Sequence, residues 1–254
     1  MSKVFLLLAI CLTSTAALPQ LHQERTIGGA ATTVSEHPYA AIILYASNNV
    51  NFQPVCGGAI INSRSIATAQ SCWTAPNNQV ALFRARVGSA NANSGGSLHT
   101  ITRFFAHFNY VPWNQDNNFG LLRLTSVINF GLNVRPIPVA PLDYDLADYQ
   151  KVLAIGLSRT TPTSELQLSA VELRTVNQER CANVYGVNFV TPFMLCAGWE
   201  TGGRGPSLND IGAPLVHNKV LVGITSYTFG NGDKNFPSIY ARVSRYNNWL
   251  RTNT

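Results

Sequence analysis

The stretch 207–215 reads Ser-Leu-Asn-Asp-Ile-Gly-Ala-Pro-Leu, the form of a loop built to attack a carbonyl. In serine hydrolases such a loop offers an acid, then a serine, then small residues that let backbone and substrate approach closely. Here the acid is Asp210 and Gly-Ala-Pro occupies 212–214. The position between them is Ile211, whose side chain has no heteroatom. Other groups able to do chemistry are few. Beyond His22, the histidines at 37, 99, 107 and 217 are single and dispersed. Four cysteines remain once Cys11 is set aside: Cys56, Cys72, Cys181 and Cys196. Their spacing suits no zinc knuckle and no histidine sits beside either pair, so no metal and no cofactor are expected. An even count suggests two bridges, and local pairing, 56 with 72 and 181 with 196, would close two short loops.

The N-terminus reads as an address. Lys3 precedes a short apolar core at 4–12, and Thr15-Ala16-Ala17 is a small-residue cleavage signal. A signal peptide over 1–17 and a propeptide over 18–25 are therefore expected, with a secreted, extracellular product in which disulfides can form. Beyond that core no apolar window is long enough to span a bilayer, so no membrane association is expected. Without Lys3, Arg25 and Glu24, the 18 basic and 12 acidic residues become 16 and 11, a net charge of +5. Thirteen of those basics are arginines and three are lysines. Arginine stays charged at pH values where lysine titrates, which suits an alkaline fluid such as an insect gut lumen. The arginines are scattered along the chain and interleave with no aromatic run, so no nucleic-acid partner is expected.

The elements that must position these residues are strands. Short runs at 39–46, 58–61, 65–69, 80–87 and 119–124 are β-branched or aromatic in part, with Asn, Gly, Pro and Ser clusters between them. A connector rich in Pro, Asp and Asn covers 125–150. A second series follows at 151–157, 166–176, 193–197, 214–216, 220–227 and 238–243. Two β halves of similar size predict an all-β protein of paired barrels. Two helices are predicted: a short one over 177–184, and a last one over 244–252, capped by Ser244 and docked on the second barrel through Tyr246, Trp249 and Leu250.

The residues resemble the chymotrypsin- and trypsin-like serine proteases, notably insect gut members. The resemblance rests on Arg25-Thr-Ile-Gly-Gly29, Cys56-Gly-Gly-Ala-Ile-Ile, Thr68-Ala-Gln-Ser-Cys72, Asp116-Asn-Asn-Phe-Gly-Leu-Leu-Arg-Leu124, Met194-Leu-Cys-Ala-Gly198, Asn209-Asp-Ile-Gly-Ala-Pro-Leu215 and Tyr240-Ala-Arg-Val-Ser. It implies two six-stranded antiparallel β-barrels, about 26–135 and 136–243, with a C-terminal helix and a cleft between them. It also implies a histidine, an aspartate and a serine acting together in that cleft. Those positions hold Ser71, Asn118 and Ile211. The resemblance further implies a zymogen cut between Arg25 and Thr26, with the new N-terminus docking on Asp210. Its specificity pocket corresponds to Gly205, Thr228 and Ser238, where Thr228 should narrow the entrance. With all three catalytic positions replaced, the expectation is a chain that is not an enzyme: a secreted homologue, expected to be a monomer. It would bind protease inhibitors, proteases or protein substrates as a decoy, cofactor or regulator. Residual proteolysis and a storage or structural role are the alternatives.

Overall fold

A computed structural model describes residues 26–74, 79–159, 164–229 and 232–254. The expected signal peptide and propeptide, with Arg25, lie outside the described residues. In the first half, strands β2 (Ala40–Tyr45), β3 (Gln53–Asn62), β4 (Ser65–Thr68), β5 (Phe83–Val87), β6 (Ser97–Ala106) and β7 (Gly120–Leu124) close into a barrel in the order β2-β3-β4-β7-β6-β5. Strand β5 shows the sequence logic plainly. In Phe-Arg-Ala-Arg-Val the apolar residues are buried and both arginines face outward. Strand β6 is absent from the sequence expectation because its inward residues, His99, Ile101 and Phe104, do not keep a regular alternation. A bulge between Ile101 and Arg103 also breaks the period of two.

The second half contains β8 (Lys151–Ser158), β9 (Gln167–Val176), β10 (Met194–Gly198), β11 (Pro214–His217), β12 (Val220–Tyr227) and β13 (Ser238–Arg242). They run in the order β9-β10-β13-β12-β11-β8, and pairing of β8 with β9 closes the second six-stranded barrel. All ladders in both barrels are antiparallel. A two-residue strand, β1 (Ala30–Ala31), adds to β9 as a seventh. The chain's first described segment thus packs on the second barrel rather than the first. The connector 125–150 holds no strand, as its prolines and aspartates imply.

Two helix expectations need correction. The C-terminal segment opens as a 3-10 turn, Val243–Tyr246, and becomes α3 only at Asn247–Asn253; Ser244 is buried inside the turn and caps nothing. Nor does the segment dock on the second barrel alone. Tyr246 stacks on Phe119 at 4.5 Å, Trp249 meets Phe119 at 5.8 Å, and Arg123 of β7 donates to the Asn253 carbonyl at 2.7 Å. The aromatic stripe finds Phe119 across the barrel boundary, within the apolar cluster that spans both barrels. The short helix appears as α2 (Gln178–Tyr185), with Asn177 accepting from Arg180 N at 3.0 Å as its N-cap.

Both disulfides form as the sequence suggests, Cys56–Cys72 and Cys181–Cys196, across separations of 16 and 15 residues. Chain-entropy reasoning gives each about 3 kcal/mol. Replacing Cys181 and Cys196 by alanine is expected to lower Tm by roughly 6–12 °C, measured by calorimetry.

Candidate active site

The three positions singled out in the sequence meet where the barrels face each other. Ser71 opens the short helix α1 (Ser71–Thr74), Asn118 lies two residues before β7, and Ile211 follows a 3-10 turn at Leu208–Asp210. Asn118 is fully buried and holds the cluster together. Its Oδ1 accepts Ser71 N at 2.8 Å. Its Nδ2 donates to Ser71 Oγ at 3.0 Å, Gln115 Oε1 at 3.0 Å and Ser226 Oγ at 3.1 Å. With the Ser226 carbonyl at 3.5 Å, two N–H groups thus face four acceptors, and every member of the cluster is neutral. No imidazole joins it. His37 bonds Tyr39 at 3.0 Å, His99 lies between Ser97 and Ser126, His107 stacks on Phe108, and His217 bonds Tyr144 at 2.8 Å. Ser226 and Gln115 were not singled out in the sequence. Ser226 sits in a strand run, and only the approach of β12 to the Asn118 loop reveals it.

Ile211 is partly buried against the apolar core shared by the two barrels. The small residues after it have a packing reason. A Cβ on Gly212, at φ +83°, would stand 2.2 Å from Thr68 Oγ1 and 2.6 Å from the Gly57 carbonyl. Gly57 N in turn donates to the Ile211 carbonyl at 2.9 Å, which clamps the loop on β3. Ahead of Ile211 the turn is self-capped. Asn209 N donates to Ser207 Oγ at 3.3 Å, and Ser207 N donates to Asp210 Oδ2 at 2.9 Å. The Asn209 amide is thereby drawn toward the cap.

Asp210 is 2% exposed and surrounded by donors. Thr26 N and Thr26 Oγ1 reach its Oδ2 at 2.8 and 3.0 Å, and Leu157 N reaches its Oδ1 at 2.9 Å. Burial pushes the carboxyl above its ordinary value, and bonds from Leu157, Ser207 and Thr26 pull partly back. Thr26 is held in place by its neighbours. Ile27 and Gly205 exchange backbone bonds at 2.8 and 3.0 Å, and β1 pairs with β9. Gly156 makes the room: a Cβ there would lie 2.2 Å from Thr26 Oγ1 and 2.5 Å from Asp210 Oδ1. No pattern in the sequence marks it. Gly156→Ala is expected to destabilise the protein by about 1–3 kcal/mol. Chemical denaturation checks this, and a variant as stable as the parent would mean that Thr26 moves aside at no cost.

The pocket positions also come together. Thr228 Oγ1 lies 3.1 Å from Ser238 Oγ and donates to the Pro206 carbonyl at 3.2 Å, with Gly205 buried beside them. The two hydroxyls thus meet at the positions that the family resemblance assigns to the pocket. Among the described residues no group of three or more His, Cys, Asp or Glu is placed to hold a metal ion, and no helix is long and apolar enough to cross a membrane.

The family model described as Trypsin matches residues 26–250. Trypsin CFT-1 of Choristoneura fumiferana is 38% identical over 252 residues, 97% of each chain. Trypsin, alkaline A of Manduca sexta is 38% identical over 259 residues, 99% of this chain and 100% of the relative. Achelase-1 of Lonomia achelous is 36% identical over 236 residues, 89% of this chain and 99% of its own length. Relatives named trypsins, matched nearly end to end, overturn the expectation that the chain is not an enzyme: they point to a serine protease. Because Ile211 supplies no oxygen, hydrolysis would have to draw on other groups of the cleft. With two closed barrels, an occupied Asp210 site and this span of similarity, the chain belongs to the trypsin family of serine proteases.

Proposed function

We propose that this trypsin-family chain is secreted, is cut after Arg25, and acts by binding. Its cleft receives protease inhibitors, proteases or their protein substrates, and the chain serves as a decoy, cofactor or regulator. One observation carries the reading: the docking frame is complete while the cleft is filled by neutral groups. Thr26 N sits 2.8 Å from Asp210, whereas Ser71, Asn118 and Ser226 bond one another and Ile211 packs on the core. Such a frame presents the family's binding surface. An alkaline lumen suits the thirteen arginines, and the Manduca sexta relatives carry the word alkaline in their names. The protein acts as a monomer with no cofactor, no nucleic acid and no membrane.

The test uses the secreted protein before and after cutting at Arg25. Both forms are titrated with purified protein inhibitors of trypsins, and peptide hydrolysis is followed in the same samples. Sub-micromolar inhibitor binding that strengthens on cutting supports the reading. Hydrolysis blocked by a serine-directed reagent, with no inhibitor bound, would replace binding by turnover.

A further inference from the structure

The arginines that look scattered along the chain gather in space. Residues 26–135 contain six arginines, no lysine and two carboxylates, Glu36 and Asp116. Four of the six lie on adjacent strands of the first barrel and face outward: Arg84 and Arg86 on β5, Arg103 on β6 and Arg123 on β7. Arg103 and Arg123 stand directly opposite each other, a like-charge pair that costs stability unless something offsets it. Arg64, exposed in the β3–β4 turn, extends the row, its carbonyl accepting Leu124 N at the end of β7. Neither carboxylate reaches this face. Glu36 takes bonds from Thr32 and Thr33, and Asp116 takes Thr191 Oγ1 at 2.5 Å. Glu165 sits past the far end of β5, bonded to Asn91. Among the described residues none of the five arginines forms an ion pair, the C-terminal carboxylate included.

We propose that this face docks a polyanionic polysaccharide, an extended chain carrying sulfate or carboxylate groups. Guanidinium forks match the paired oxygens of such groups. The strands are interior members of a closed barrel, so a peptide finds no free edge on which to add a strand. The two rings on this side are already covered. Arg84 lies 4.6 Å over Phe52, while Arg103 and Arg123 lie 4.7 and 5.4 Å over Phe105. Neither of these two rings is open for a nucleic-acid base to stack on. Threonines 100 and 102 add outward hydroxyls between the arginines.

The experiment measures binding of the full secreted protein to heparin and to hyaluronate at about 0.15 M salt, and its dependence on salt. Heparin bound and hyaluronate not assigns sulfate; both bound assigns the anionic sugar chain in general. The variant Arg64→Gln/Arg103→Gln is the safest for the fold, since neither side chain donates a hydrogen bond to it. It is expected to weaken binding about tenfold, roughly threefold per arginine. Adding Arg84→Gln should bring the loss to about thirtyfold. Lys219→Gln/Lys234→Gln, at exposed positions of the second barrel, should leave binding unchanged, with Tm confirming folding throughout. Three results overturn the proposal: no binding to either polysaccharide, equal binding after the arginines are removed, or polyglutamate, DNA or anionic vesicles bound as tightly as heparin.

Discussion

Combining Ser71→His, Asn118→Asp and Ile211→Ser is expected to raise peptide hydrolysis by at least about 10³-fold over the parent chain. A full triad acts as a unit worth about 10⁶ in kcat, so any single change is expected to add little. The scaffold favours the combined result. Asn118 already holds Ser71 N at 2.8 Å and lies 3.1 Å from Ser226 Oγ, so an aspartate there keeps an acceptor in the same place. The gain should stop short of the full figure for two visible reasons. The family's oxyanion-hole glycine corresponds to Asn209, whose amide bonds Ser207 Oγ at 3.3 Å, and one missing oxyanion donor costs about 10²–10³. The Thr228–Ser238 hydroxyl pair also stands where the family's pocket walls carry glycines. Adding Asn209→Gly, Thr228→Gly and Ser238→Gly should therefore raise kcat/KM further. The idea sinks if the sixfold variant keeps the parent's Tm and hydrolyses no faster.

Asp210→Ala should cost on the order of 3–5 kcal/mol, because it strands the amides of Thr26, Leu157 and Ser207 in a dry interior. In a domain of this size that lowers Tm by about 10 °C. Its pH dependence carries the mechanism. While Thr26 N is an amide, no cation sits among the groups bonded to Asp210, and its carboxyl is raised above 3.8. Between 3.8 and that raised value the folded chain holds a proton the unfolded chain has lost. Stability from this group is thus complete below 3.8 and declines as pH rises through the folded value. Cutting after Arg25 places an ammonium 2.8 Å from the carboxylate and removes the penalty. The cut protein should therefore melt above the uncut one around neutral pH, with the gap closing in acid as the carboxylate is protonated and again at alkaline pH as the Thr26 amine loses its proton. Parallel melting curves at every pH would show that Thr26 does not dock as a charged terminus.

Much of this protein is legible along the chain. Alternation in β5, the turn clusters between apolar runs and the Pro-rich connector specify two β halves, because side-chain period and turn chemistry are local properties. The paired cysteines and the identities of Ser71, Asn118 and Ile211 are equally plain. Only the tertiary structure decided what those residues touch. The bulge in strand β6 turned Phe104 onto Trp73. The C-terminal stripe found Phe119 across the barrel boundary, and Ser244 lost its expected cap to a 3-10 turn. Ser226 joined Asn118, Gly156 cleared the space for Thr26, and five distant arginines came to one wall. Each is a contact between segments far apart in sequence, set by barrel closure and register, for which no local pattern exists.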